Sequence, residues 1–127
     1  MQDEPTPTEL TKAVAEFLRS DIAPLVSGHH AFKLRVAINA LDLVTRQLSL
    51  EQGSDAAELT RLKALLETDG GLMELNRMLA ERIAGGGIDL QTKGLAEHLW
   101  QTTMEKLAVD QPNYASYKRE LGRDHKE

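Results

Sequence analysis

The residue types that could do chemistry are present, but their spacing does not bring them together. His29 and His30 are adjacent. On a helix, neighbours point about 100° apart, so the pair is poorly placed to share a metal ion. His98 and His125 are distant, and no histidine lies four residues from His29 or His30, the spacing a helical metal site uses. Both are expected to be residues at a helix start, facing solvent or a partner. Glu16 and Asp42 have the chemistry of a general acid or base. Nothing around them predicts a dry pocket that would tune a carboxyl group, so they read as solvated or ion-paired. Gly85-Gly86-Gly87 follows a helical stretch and leads into Ile88-Asp89-Leu90. A phosphate cradle instead opens a helix and continues into Lys-Ser/Thr, so this triplet reads as a helix stop. No catalytic, cofactor-binding or metal-ligating residue is assigned on these grounds.

Two further groups have the chemistry of recognition. Arg35 and Asn39 stand one turn apart on a segment whose apolar residues cover most of its circumference. If that segment is buried, their polar heads require internal hydrogen bonds, Asn39 to a neighbouring helix and Arg35 to a carboxylate. The functional alternative is an anchor for a partner chain or an anionic group. Asn76 poses a milder form of the same question. Trp100, Tyr114 and Tyr117 place three of the five aromatics in the last third of the chain. They either close one end of the fold or form a docking surface, since Trp and Tyr are favoured interface anchors.

The elements that would position these residues are all helical. Thr6-Pro7-Thr8-Glu9 predicts an N-cap, a proline in the first turn and a capping-box glutamate. Leu10, Val14, Phe17 and Leu18 then recur on one face, and Ile22 continues them up to Pro24. A long second helix is expected from about His29 to Leu50, apolar nearly all round and hence buried at the centre of the fold. Gln52-Gly53-Ser54 is expected to end it, with Asp55 and Glu58 opening a third helix that carries Leu59, Leu62, Leu65 and Leu66. Leu72, Leu75, Leu79 and Ile83 mark a fourth. Asp89 is expected to cap a fifth, carrying Leu95, Leu99, Trp100, Met104 and Leu107. Tyr114, Tyr117 and Leu121 suggest a short frayed helix beyond Pro112. No segment alternates with the period of two that a strand requires. The expected fold is all-α, one domain over residues 1–127 with about five helices and flexible ends at about 1–6 and 121–127.

Composition narrows the partners. The 127 residues contain no cysteine, which excludes disulfides and thiolate chemistry and agrees with a cytoplasmic setting. The formal charge is −5, with Lys and Arg scattered among Asp and Glu, which disfavours nucleic acid and anionic membranes. The turn before Leu72 superficially suggests a helix-turn-helix, but Arg77 and Arg82 are offset by Glu74 and Glu81. No apolar run is long enough to span a bilayer, and the acidic start is unlike a signal peptide. A second copy of the chain is a candidate cover for any part of the second helix left bare.

Three segments resemble a bacterial family of small helical proteins known as a domain of unknown function: Thr8–Pro24, His30–Leu50 and Lys106–Tyr117. The stretch from Leu75-Asn76 through Ile83 to Gly85 also fits. The resemblance implies a partner rather than a reaction. Members accompany a kinase similar to aminoglycoside phosphotransferases and a protein similar to acyl-CoA dehydrogenases. A similar small protein is an accessory subunit of the kinase that phosphorylates 4-hydroxyacyl-CoA in levulinate catabolism. Arg35 and Asn39 fall within the most distinctive of these segments, and no catalytic residue is carried over. The expected function is a non-catalytic kinase subunit, with Arg35, Asn39, Trp100, Tyr114 and Tyr117 as candidate partner-binding residues. The alternative is a small-ligand or acyl-CoA binding module, to whose phosphates Lys33, Arg35 and Arg46 would contribute.

Overall fold

The Thr6 side chain accepts the Glu9 backbone N–H at 3.2 Å, and the Glu9 carboxylate accepts the Thr6 N–H at 2.7 Å. This reciprocal cap starts the first helix, α1 (Pro7–Phe17), as the sequence predicts. A computed structural model describes residues 3–124. Those residues form five α-helices and no strand: α1, α2 (Gly28–Leu66), α3 (Leu72–Ala84), α4 (Leu95–Asp110) and α5 (Ala115–Asp124). Between α1 and α2 the chain makes a widened π turn at Leu18–Ile22, then a tight 3₁₀ turn at Ala23–Leu25 that holds Pro24. The expected ends at 1–2 and 125–127, including His125, lie outside the described residues; 121–124 continue α5.

Two boundaries differ from the sequence reading. Gln52-Gly53-Ser54 does not end a helix: α2 runs unbroken for 39 residues and absorbs the expected third helix. A single glycine inside a helix costs only about 1 kcal/mol against alanine, and no proline is present to remove a donor. Asp55 is therefore a mid-helix residue rather than a cap. Asp89 is not a cap either. Its backbone N–H donates to the Thr92 hydroxyl and its carboxylate accepts the Gln91 N–H, forming a local turn, so α4 starts six residues later. The glycine triplet stops α3 as expected. Gly86 takes the left-handed conformation, φ 76°, and the Gly87 N–H returns to the Arg82 carbonyl at 2.9 Å.

The chain packs as two compact units, Met1–Glu51 and Gln52–Glu127. In the second, Leu62, Leu66, Leu75, Leu79, Ile88 and Leu95 form a buried cluster with Leu59, Leu65, Leu72 and Met78 against it. Polar ties surround that cluster: Arg61 holds Glu105 through two hydrogen bonds, and the Asn76 amide donates to Glu58 at 2.7 Å. Asn76 is thus internally satisfied. In the first unit the fully buried apolar residues are Ala15 and Ile38.

The second helix is long, as expected, but most of it is not buried. Within α2 only Ile38, Leu62 and Leu66 are buried, while Phe32, Val36, Leu43, Val44, Leu48 and Leu50 are exposed. Within the first unit, α1 and the turns after it pack on one side of α2 and leave the rest bare.

Candidate functional site

The first unit is held by polar contacts along the inner side of α2. Thr45 donates to the Thr11 hydroxyl at 2.7 Å, and Arg19 donates to Asp42 at 2.6 Å. Asp42, considered above as an acid or base, is therefore an ion-paired carboxylate. Glu16 is exposed on α1. The π turn brings Arg19 to a cavity of about 210 Å³ that it lines with Ala23, Ala31, Arg35, Ile38 and Asn39. Two guanidinium groups and one amide thus share a small notch. Arg19 is neutralised by Asp42, whereas Arg35 has no ion-pair partner among the described residues.

Arg35 and Asn39 were expected to make internal hydrogen bonds, and they do not. Both are exposed, and neither hydrogen-bonds to another side chain among the described residues. The expectation rested on a buried helix, and here the helix turns these two residues outward. Beside them, on the helix expected to be buried, run Phe32, Val36, Leu43 and Leu50, of which Phe32 is 58% and Val36 53% exposed. Residues seven apart drift by only about 20° on a straight helix, so Val36, Leu43 and Leu50 share one stripe. Phe32 and Asn39 lie on the adjoining row, whose next member, Arg46, is half-buried. Phe32, Val36, Asn39, Leu43 and Leu50 make an exposed seam of coiled-coil spacing. On α1, Leu10, Val14 and Phe17 are exposed as well.

The aromatic candidates fall in the second unit. Trp100 is 48% exposed on α4, Tyr114 is exposed in the turn before α5, and Tyr117 is half-buried on α5. No ring contact joins the three among the described residues. The structure therefore supplies two outward-facing aromatics and a third that is half-buried. This unit has a cavity of about 330 Å³, lined by Arg61, Leu65, Lys93, Glu97 and His98 among others. His98 is 3% exposed and its Nδ1 has no hydrogen-bond partner among the described residues. Burial, followed by the nearby Arg61 cation, holds its pKa below the usual imidazole range. His29 and His30 lie at the start of α2, exposed as expected, with ring centroids 6.4 Å apart.

No cluster of three or more His, Cys, Asp or Glu that could hold a metal ion occurs among the described residues. No helix among them is long and apolar enough to cross a membrane. Arg77 pairs with Glu81, and Arg82 donates to the Leu66 carbonyl.

The profile of a domain of unknown function, DUF6285, matches residues 24–114. The chain belongs to this family. The DUF6285 stretch contains Arg35, Asn39, Trp100, Tyr114 and the whole of α2, α3 and α4. It leaves out α1, Arg19 and Tyr117. No curated protein and no solved structure shows significant similarity to the chain.

Sequence reading missed Arg19, whose role depends on a π turn that no spacing rule announces. It also misassigned the seam. The seven-residue step through Val36, Leu43 and Leu50 is the same whether it marks an exposed seam or a core stripe.

Proposed function

We propose that this DUF6285 protein is a non-catalytic accessory subunit of an aminoglycoside-phosphotransferase-like kinase acting on a hydroxyacyl-CoA in short-chain hydroxy-acid catabolism, a route in which an acyl-CoA dehydrogenase-like protein also takes part. The observation that carries this reading is the uncovered apolar seam of α2 with Arg35 and Asn39 turned outward beside it. Contiguous apolar surface of this kind on a small acidic protein fits a protein interface. The resemblance of His30–Leu50 to the kinase-associated proteins points to the kind of partner. The decisive experiment co-expresses the chain with the kinase of that type from the same organism, and then assays phosphotransfer to 4-hydroxyacyl-CoA with and without the chain. A stable complex whose activity depends on the chain is the expected result. Absence of both complex and effect rejects the reading.

A second reading has its own support. Lys33 and Arg35 are exposed and without ion-pair partners among the described residues, as contacts to the phosphates of an acyl-CoA would require. Titration calorimetry of the isolated chain with acetyl-CoA separates the two, because a pure kinase subunit gives no heat of binding.

A further inference from the structure

The face of α2 opposite its contacts with α1 combines three features: apolar side chains at coiled-coil spacing, a polar residue within the seam, and unpaired cations along its edges. Phe32, Val36, Leu43 and Leu50 supply the first. At 1.5 Å per residue the row is about 27 Å long, the length of five helical turns. Asn39 supplies the second. A single Asn within such a seam lowers affinity and fixes register, because it must meet a polar group on the facing helix. Lys33 on one edge and Arg35 on the other supply the third, and neither has an ion-pair partner among the described residues. Arg35 and Asn39 also line the notch that reaches back to Arg19. Asp42 on the same edge is already engaged by Arg19 at 2.6 Å. Glu51 lies beyond the last residue of the stripe.

We infer that the α2 seam from Phe32 to Leu50 docks one amphipathic helix of a partner protein, whose apolar stripe is flanked by carboxylates, one of them entering the notch beside Arg35. Charge decides between this occupant and a second copy of the chain. In a parallel pair each copy sets its own Lys33 and Arg35 beside those of the other. In an antiparallel pair centred on the stripe like edges meet, so Arg35 comes opposite Ser49, which has no charge to give it. An acidic helix satisfies both edges and the notch at once. The inference deepens the kinase-subunit reading and rests on it only for the identity of the partner.

The test has two arms. In the first, fluorescence anisotropy follows binding of the full chain to two synthetic helical peptides. Both carry a leucine seam at alternating three- and four-residue steps; one is flanked by Glu and the other by Lys. The Glu peptide is expected to bind at least tenfold more tightly, to lose affinity as salt is raised, and to lose at least tenfold on Val36→Asp, Leu43→Asp or Arg35→Glu. All three positions are exposed, so helicity by circular dichroism should be retained. Equal binding of the two peptides, preference for the Lys peptide, or binding of neither overturns the inference. So does sedimentation of the chain as a dimer that Leu43→Asp makes monomeric. In the second arm the same variants are co-purified with the kinase. A kinase that binds the chain and its seam variants alike leaves the subunit reading standing and removes the seam. A chain that binds the Glu peptide but no kinase does the reverse.

Discussion

At the scale of single residues, His98 shows how burial, helped by a nearby cation, gives a side chain a measurable signature. It is buried, lies near the Arg61 cation and has no partner for Nδ1 among the described residues, so the folded chain favours the neutral ring. The unfolded chain takes up a proton near the ordinary histidine pKa of about 6.5, and the folded one only at lower pH. Stability from this residue is therefore fully present above about pH 6.5 and is lost as pH falls through the depressed folded value. Urea midpoints of the wild type should fall from pH 7 to pH 5 more steeply than those of His98→Gln, by up to one proton in slope. Parallel curves would show that the ring is solvated and the cavity open. None of this was legible in the sequence, where His98 was simply a histidine far from the others. Arg35 and Asn39, in contrast, were picked out for their chemistry but assigned the wrong surroundings. Their spacing placed them together on one side of a helix, but only packing reveals which side faces water.

At the scale of elements, the capping box at Thr6 and the glycine stop at Gly86 were readable because each is a local device, complete within four residues. Gly53 was not, because a glycine has the same appearance at a helix end and in a helix interior. The structure makes Gly53 interior to α2, with open space where a Cβ would project. Gly53→Ala should then stabilise the chain by about 0.5–1 kcal/mol through reduced backbone freedom in the unfolded state. That corresponds to a rise of a few degrees in the thermal midpoint followed by circular dichroism. If α2 ended at this glycine in a left-handed turn, the same substitution would lower the midpoint. The sign of the shift thus decides between one helix of 39 residues and the two shorter ones that sequence rules favour.

At the scale of the whole molecule, the two units differ in what they can do alone. The second buries a cluster of six apolar residues, each contributing roughly 1.5–3 kcal/mol when fully withdrawn from water. The first fully buries Ala15 and Ile38, and otherwise depends on half-covered side chains and the Arg19–Asp42 and Thr11–Thr45 contacts. An exposed ion pair such as Arg19–Asp42 contributes at most about 1 kcal/mol. Local opening should therefore be easier in residues 7–51 than around Leu62, Leu75 and Leu95. Native-state hydrogen exchange should show amides of α1 and of α2 before Glu51 exchanging at least tenfold faster than those of the buried cluster, a gap of about 1.4 kcal/mol. Addition of the Glu-flanked peptide should slow exchange from Phe32 to Leu50 and leave the cluster unchanged. Uniform protection without peptide would mean that the first unit needs no partner to hold it. Its apolar seam would then have to be explained by something other than docking, since a surface that nothing covers gains no stability from Phe32, Val36, Leu43 and Leu50.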